Sequence, residues 1–279
     1  MSKLLRSNFS RLWKDIIFWL CMGGMLIYAV AYMLNASRNP TSPLTGEMYS
    51  LEHYYFMFLA YVGFFFAVII SMFVGTEYSD GTMRNKLIVG HTRTNVYLAN
   101  LIVTIVASLF IMCVWFIGAL LVGAPAFGFF TFSPAKLAGC FLICVLLVAA
   151  YSAINTFIAM LSSNKTVTVL ISIVLLFCLI ICATTIDNAL KEPETISSMS
   201  GVTISGAAPI VGEQVPNLRY IGGMLRTILI LLLDILPTGQ SVSLAFLEMR
   251  PITMILSSVV VTVGMTALGI ILFHKKDLK

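Results

Sequence analysis

The sequence predicts an all-α integral membrane protein with six membrane-spanning helices. Hydrophobic residues make up 59% of the 279-residue chain and charged residues only 10%, whereas soluble domains carry about 25% charged residues. The mean hydropathy is +0.98. Six apolar windows are long enough to cross a hydrocarbon core, which takes about 20 helical residues. They are residues 16–34, 54–74, 96–122, 137–161, 167–184 and 252–273, and residues 1–279 are interpreted as a single transmembrane domain.

The segment 1–15 comes before the first window and predicts an amphipathic helix on the membrane surface. Its apolar residues recur at helical spacing and its basic residues occupy the rest of the helical wheel: Leu4, Leu5, Phe9, Leu12, Trp13 and Ile16, against Lys3, Arg6, Arg11 and Lys14. We expect this helix to lie on an anionic leaflet. A solvated basic tail is the alternative. The window that follows is too long for a signal-peptide core, so we expect a first span instead.

The basic residues predict how the spans are oriented, because short cytoplasmic loops carry an excess of Lys and Arg. We expect the protein to lie in the cell membrane with both termini in the cytoplasm. In this orientation most of the 17 basic residues fall on the inner side: Lys3, Arg6, Arg11, Lys14, Arg84, Lys86, Arg93, Lys165, Lys275, Lys276 and Lys279. This topology accounts for the net charge of +5, so no nucleic-acid partner is expected.

The six windows contain no Asp, Glu, Lys or Arg. Ion-coupled transporters usually place ionisable groups near the bilayer midplane. The three histidines lie at span ends or in loops, and we expect the six cysteines to be small buried hydrophobic residues. We therefore expect no catalytic site and no metal site. The sequence also lacks a GxxxxGK[ST] phosphate loop, so this chain is not expected to be an enzyme that binds a nucleotide in that manner.

The segment 75–95, GTEYSDGTMRNKLIVGHTRTN, is polar and charged although it lies between two apolar windows. A solvated connector would explain most of its composition. However, Met83, Leu87 and Ile88 recur at helical spacing, and the basic residues lie elsewhere on the same short helix. A short helix with one apolar side and one charged side predicts a docking surface on the cytoplasmic face.

Several positions of this segment form one pattern, namely Glu77, Gly81, Thr82 and Arg93, with a Leu-containing turn before the arginine. The pattern resembles the cytoplasmic loop between the second and third spans of ABC-2 type exporter permeases. The amphipathic start, the six spans and the long outer segment before the last span resemble the same family over the whole chain. Gly90 and Asn100 depart from it, since such permeases often have Pro and Lys at these positions.

The resemblance implies that segment 75–95 is a coupling helix that docks on a separate, cytosolic ATP-binding cassette subunit. Glu77 would hold the entry of the loop through ionic or hydrogen-bond contacts, and Gly81 with Thr82 would form a close turn. The positive side chains would contact the partner or lipid headgroups: Arg84, Lys86 and Arg93. The resemblance also implies a homodimer of permease chains with two ATP-binding subunits. ATP and Mg would bind to those subunits, so no cofactor is expected on this chain.

Such a permease would export an amphipathic or hydrophobic cargo, such as a peptide, an antibiotic or a lipid. Small permeases of this kind resemble bacteriocin and lantibiotic export or self-protection systems, which links the chain to antibiotic resistance. The aromatic residues of window 54–74 suit such a cargo, although core packing is the alternative. Two other classes stay open: an ion-coupled secondary transporter, and a receptor or structural membrane protein with no ATPase.

The outer segment 185–251 contains a short apolar stretch, MLRTILILLLDIL, at residues 224–236. A helix of that length covers only about 20 Å, less than the membrane core. We therefore expect re-entrant helices that stop at Pro237 and pack against the last span. Arg226 and Asp234 are close enough in helical phase to face an aqueous vestibule together, which predicts an outer gate. A helix that only covers the outer surface is the alternative.

Overall fold

The computed structural model describes residues 1–38, 50–162, 164–197 and 214–276. Its helices, in chain order, are α1 Ser2–Lys14, α2 Ile16–Arg38, α3 Leu51–Tyr55, α4 Leu59–Ser79, α5 Thr82–Ile88, α6 Arg93–Phe127, α7 Pro134–Leu161, α8 Lys165–Lys191, α9 Gly223–Ile235, α10 Pro237–Ala245 and α11 Pro251–Lys275. A short antiparallel ladder pairs β1 Thr195–Ser197 with β2 Gln214–Pro216. Residues 198–213, which belong to the predicted outer segment 185–251, lie outside the described residues.

Six helical segments in the described ranges are long and apolar enough to cross a membrane, which agrees with the predicted number of spans. They are α2, α3 together with α4, α6, α7, α8 and α11. Helices α9 and α10, here called the bent pair, meet at an angle of 99° and would add a seventh span only if together they crossed.

The helices extend beyond the apolar windows from which they were predicted. Helix α4 continues to Ser79 and α8 continues to Lys191, so that Glu77 and Asp187 lie inside helices. The second window is also interrupted at residues 56–58, between α3 and α4. Hydropathy marks only the apolar part of a helix, because charged residues near a span end can remain helical when they find partners.

The centre of the bundle is formed by α4, α6 and α7. Helix α2 packs against α6, α8 packs against α4, and α11 packs against α7. Hydroxyl groups join α6 to α7 in the core, where Thr104 and Thr156 are 2.9 Å apart and Ser152 donates to Ser108 at 3.2 Å. Each outer helix leaves one apolar face exposed on the chain surface, as expected for contact with lipid.

The bundle has two ends. The α5 end contains α1, α5 and the last residues of α11, and there the Tyr78 hydroxyl donates to the carbonyl of Met160 at the end of α7. The far end contains α3, the α6–α7 loop and the bent pair. At that end the carboxylate of Glu52 accepts hydrogen bonds from the amide of Phe132 at 2.8 Å and from the hydroxyl of Thr131 at 3.0 Å. The polar segment and the predicted gate therefore lie at opposite ends.

The predicted N-terminal helix is present as α1, and it packs against α6. Leu4 and Leu12, which we expected to face lipid, are buried in the protein, while Trp13 and Ile16 are exposed. Helix α1 is thus part of the bundle, and its contact with a leaflet stays a prediction.

The expectation that all six cysteines are buried is wrong. Burial divides them into two buried residues, one half-buried residue and three exposed residues: Cys140 and Cys144, then Cys21, then Cys113, Cys178 and Cys182. A membrane helix has apolar residues on both its core side and its lipid side, so an apolar neighbourhood in sequence does not identify the core.

Candidate functional site

The polar segment begins with a tight turn between α4 and α5. Helix α4 ends at Ser79, and Gly81 has a φ of 66°, in the left-handed region where a Cβ is strained. The Thr82 hydroxyl donates a hydrogen bond to the carbonyl of Glu77 at 3.1 Å, which closes the turn. The Gly-Thr sequence therefore sets the direction in which α5 leaves α4.

The carboxylate of Glu77 is fully buried at this turn, with 0% of the residue exposed. Its Oε1 atom accepts a hydrogen bond from Arg11 Nη1 of α1 at 2.5 Å and another from Lys86 Nζ of α5. Its Oε2 atom accepts from Asn100 Nδ2 of α6 at 2.9 Å. A single side chain of α4 thus contacts three other helices.

Asn8 closes this arrangement from the N-terminal helix. Its Nδ2 atom donates to Asn100 Oδ1 at 2.7 Å, and its Oδ1 atom accepts from Lys86 Nζ at 2.8 Å. Asn8 and Asn100 are both buried. We call Asn8, Arg11, Glu77, Lys86 and Asn100 the Glu77 cluster. It joins α1, α4, α5 and α6 through charged and amide groups around the buried carboxylate, and Arg11 is the member whose side chain is partly exposed, at 30%.

The Glu77 cluster holds one carboxylate between two cations. Charges removed from water are stable only when good geometry and further hydrogen bonds compensate for the lost hydration. Arg11 gains such contacts, because Nη2 donates to the carbonyl of Phe73 at 3.1 Å and the guanidinium lies 3.9 Å from the centre of the Phe73 ring. Burial lowers the pKa of Lys86, and the neighbouring carboxylate of Glu77 offsets only part of that effect. Each member therefore depends on the others.

Two of the three cations predicted to contact a partner or lipid point into the protein instead. Lys86 belongs to the Glu77 cluster, because the turn at Gly81 reverses the chain and brings α5 back over Glu77. Arg93 Nη1 donates to the carbonyls of Phe273 at 2.8 Å and Lys276 at 2.5 Å, and so caps the end of α11. A helical wheel shows neither contact, because both depend on how separate helices pack.

Arg84 is the predicted cation that remains on the outer surface of α5. Met83 is buried and Leu87 packs against the core, whereas Ile88 is 71% exposed and Val89 is 77% exposed. The apolar residues of α5 therefore divide between an inner side and an outer side. We call Arg84, Ile88 and Val89 the α5 patch. Beside it, a groove of about 300 Å³ runs between α5 and α1 and is lined by both polar and apolar residues, among them Lys3, Leu4, Asn85 and Val89.

Asp234, at the far end, does not face an aqueous vestibule, as the sequence had predicted, but is buried in the protein. It is 1% exposed, and its Oδ1 atom accepts from Arg250 Nη2 at 2.7 Å. Arg226 lies at the other end of α9 and donates to the carbonyl of Leu190 at 2.9 Å. The two residues share a helix but bond to different partners. Asp234 is buried because Arg250 offers a charge that a wheel of α9 alone does not include.

Within the described ranges, no group of His, Cys, Asp and Glu side chains could hold a metal ion. Glu77 at the α5 end and Asp234 in the far-end region are instead paired with cations of other segments.

A family model described as ABC-2 family transporter protein matches residues 4–179, more than half of the chain. The chain belongs to the ABC-2 transporter family. This confirms the resemblance inferred from the polar segment. No curated protein matches the chain. The matched residues include the whole Glu77 cluster and the α5 patch and end within α8, before the bent pair.

Membership of this family, together with the six apolar helices, makes the protein a multi-pass membrane permease. ABC-2 permeases are typically transmembrane subunits without catalytic activity and pair with an ATP-binding subunit. The polar segment of this permease contains the short helix α5, whose outer side is exposed. The inner side of α5 is connected to the bundle by the contact between Lys86 and the buried Glu77.

Three residues of the permease's Glu77 cluster were missed from the sequence. Asn8 lies on the apolar side of α1, between Leu4 and Leu12 at intervals of four residues, and a polar residue at such a position signals a buried partner. Asn100 was noted only as a departure from the family pattern. Arg11 offered no local signal, because its partner is 66 residues away in the sequence.

Proposed function

We propose that this chain is the permease subunit of an ATP-driven exporter, and that α5 docks on a separate ATP-binding subunit. The observation that carries the proposal is the position of the α5 patch directly outside the Glu77 cluster. Arg84, Ile88 and Val89 offer a charge and exposed apolar surface to a partner. The neighbouring Lys86 ties the same helix to Glu77 inside.

This arrangement supports a coupling role because a displacement of α5 would act on several helices together. Lys86 joins α5 to Glu77 of α4, and Glu77 joins α4 to Arg11 of α1 and Asn100 of α6. Packed elements of this kind move as rigid bodies and do not deform gradually. Closure of two ATP-binding subunits, which hold ATP and Mg, would then tilt the spans attached to α5.

The proposed cargo is amphipathic or hydrophobic, such as a peptide, an antibiotic or a lipid. A cleft of about 290 Å³ lies between α4, α8 and α10, and aromatic side chains line much of it: Tyr61, Phe64, Phe177 and Phe246. Such a lining favours apolar groups over sugars or ions. A bacteriocin or lantibiotic would fit this chemistry, and its export would protect the cell against an antibiotic peptide.

The assembly that we propose has two copies of this chain and two ATP-binding subunits, with the α5 end and both termini in the cytoplasm. The aromatic cleft lies on the surface of one chain, so a second copy is needed to enclose a path for cargo. Native mass spectrometry of the purified complex measures both copy numbers.

We also propose that the bent pair is a re-entrant outer gate. Both of its ends lie beside the same end of α8, since Arg226 contacts the carbonyl of Leu190 and Phe246 lies 3.9 Å beneath Lys191 Nζ. Its bend lies deeper in the bundle, where the Thr238 hydroxyl donates to the carbonyl of Leu179 at 3.1 Å. Entry and exit on one side support a segment that enters the membrane and returns.

Charge reversal at Arg84 tests the docking proposal. We expect Arg84→Glu to reduce co-purification with the ATP-binding subunit and to reduce ATPase stimulation, because reversed charge at a complementary interface lowers affinity and association rate. Lys275→Glu, which reverses another exposed cation at the α5 end, is the matched control. Lys86 is unsuitable, since a glutamate there would meet Glu77 and disturb folding. Unchanged co-purification and ATPase stimulation with Arg84→Glu would contradict the proposal.

A further inference from the structure

A buried ion pair connects the bent pair to the start of α11. Asp234 Oδ1 accepts from Arg250 Nε at 2.9 Å and from Nη2 at 2.7 Å. Asp234 Oδ2 accepts from Arg250 Nε at 3.1 Å and from the Thr253 hydroxyl at 2.6 Å. Both carboxylate oxygens are therefore paired, and two guanidinium nitrogens take part in the forked geometry that makes such pairs strong.

Arg250 also reaches the second helix of the bent pair. Its Nη2 atom donates to the Ser243 hydroxyl of α10 at 3.1 Å, while the same nitrogen contacts Asp234 of α9. Gln240 of α10 adds a second link, because it accepts a hydrogen bond from the Ser258 hydroxyl of α11 at 2.7 Å. Arg250 thus contacts both sides of the bend, from a position immediately before α11.

Arg226 at the start of α9 and Lys191 beside Phe246 also attach the bent pair to α8, but around the bend the other attachments are between uncharged groups. The Thr238 hydroxyl bonds to the carbonyl of Leu179, and the hydroxyls of Tyr151 and Ser241 are 3.0 Å apart. These are neutral hydrogen bonds, which are about half as strong as charge-assisted ones. The side chain of Arg250 is 28% exposed and that of Asp234 only 1%. Separation of the pair would therefore leave the carboxylate in the protein interior unless the bent pair moved and water entered.

We infer that the Asp234–Arg250 ion pair locks the bent pair against α11, and that Arg250 is the residue whose release lets it move. This inference rests on the proposed function of the bent pair as an outer gate. A buried carboxylate that loses its paired cation is unfavourable, so intermediate positions are disfavoured. Two arrangements remain: a closed one in which the ions are paired, and an open one in which both are hydrated.

Thiol labelling at position 241 tests the lock. Ser241 is fully buried, and a cysteine there is nearly the same size as the serine. The full chain carries Ser241→Cys in a background without its native cysteines, is placed in lipid nanodiscs, and is treated with a water-soluble thiol reagent. We expect slow labelling in this parent, and labelling roughly tenfold faster or more in Asp234→Asn or Arg250→Gln, because each leaves a buried charge or polar group unpaired.

The matched control is Glu52→Gln, which neutralises another fully buried acid at the far end. The partners of Glu52 are Thr131 and Phe132 in the α6–α7 loop, so its loss should leave labelling at position 241 unchanged. Equal acceleration by Glu52→Gln would mean that labelling reports general loosening, and would overturn the lock. Should the charge variants fail to fold, Thr253→Val and Ser243→Ala each remove one hydrogen bond of the lock and should give smaller increases. No increase in either would also overturn it.

A second measurement separates the lock from the gate. The parent with Ser241→Cys is labelled in complex with the ATP-binding subunit, with and without MgATP. Faster labelling during ATP turnover, together with no effect of the Asp234 and Arg250 variants, would leave the gate intact and overturn the lock. Faster labelling in the variants without any effect of ATP would support the lock and contradict a gate that moves in the transport cycle. No change in either experiment would overturn both.

Discussion

Glu77 lies near the end of α4, where water would reach its carboxylate in an isolated helix. In the folded chain it is fully buried and bonded to Arg11, Lys86 and Asn100 from three other helices. Its local position explains neither the burial nor the partners. The same applies to Asp234, whose partner Arg250 belongs to the start of another helix. At the scale of single residues, the buried acids Glu77 and Asp234 connect helices that are far apart in the sequence.

Replacement of Glu77 by glutamine should show how much its ion pairs with Arg11 and Lys86 contribute to stability. The substitution keeps the shape but leaves the mostly buried Lys86 and the partly exposed Arg11 without their counter-charge. We expect the free energy of unfolding to fall by about 3–5 kcal/mol, the usual cost of removing one partner of a buried pair.

We also expect Glu77→Ala to uncouple the transporter, so that ATP is still hydrolysed while export falls. Thermal unfolding and cargo export at matched expression are the measurements.

Glu248→Gln is the control for Glu77, because the side chain of Glu248 is 44% exposed and its contact with Lys191 is long at 3.8 Å. An exposed pair of this kind contributes about 0–1 kcal/mol. Equal unfolding temperatures for the two glutamine variants, or normal export by Glu77→Ala, would refute the role assigned to the cluster.

The elements differ in how directly their residues determine them. Helix α5 depends on the turn at Gly81 for its direction and on the buried Met83 for its inner side. The bent pair depends on Pro237, which follows the break at Leu236 and begins α10 at a position where its missing N–H is tolerated. Helix α5 and each single helix of the bent pair are too short to span a membrane, and α5 and the bent pair both expose apolar residues. Their exposed surfaces are therefore the places where partners or motion are expected.

Cysteine labelling in cells tests the path of the bent pair. Gly222 and Glu248 are exposed residues on either side of it, and Lys275 is exposed at the α5 end. In a background without native cysteines, we expect Gly222→Cys and Glu248→Cys both to react with an impermeant reagent added outside, and Lys275→Cys not to react. Position 241, within α10, is buried and unsuitable for this purpose.

Two results of that labelling would change the topology. Reaction of only one of the first two positions would make the bent pair a seventh span. Reaction of Lys275→Cys in intact cells would place the α5 end outside and remove the basis for docking on a cytosolic subunit.

At the scale of the whole molecule, the bundle has a core of packed apolar side chains, and its ion pairs lie towards the two ends. Large side chains such as Trp115, Tyr97 and Phe66 are fully buried in that core. The paired charges lie at the α5 end and in the far-end region rather than in a row across the membrane. This distribution favours a permease that is moved by a partner over a transporter that relays ions through its own spans.

Energy depletion separates these classes. We expect export to stop when ATP is depleted while ion gradients are kept intact, because the energy would come from a separate ATP-binding subunit. Collapse of the ion gradients at constant ATP is the matched control and should leave export in place. Export that persists without ATP would point to the ion-coupled alternative. Cargo movement that depends on neither source of energy would exclude both.

The sequence by itself determined the membrane fold, the six spans and the location of the polar segment. These properties are local, because each span must satisfy its own backbone hydrogen bonds in lipid and so needs its own apolar run. The Gly-Thr turn at residues 81–82 was likewise readable, since a left-handed residue favours glycine. The same short segment carried the resemblance to the ABC-2 family, and the family model that matches residues 4–179 confirms it.

Only the tertiary structure decided which charges meet. Arg11 and Glu77 are 66 residues apart, and Arg93 caps a helix end 180 or more residues away. It also decided that Lys86 points inward, Asp234 is buried, and three of the cysteines are exposed. Periodicity describes one helix at a time, whereas burial of a charge depends on the neighbour that supplies its counter-charge. That neighbour is fixed by the packing of separate helices, and nothing in the local sequence specifies it.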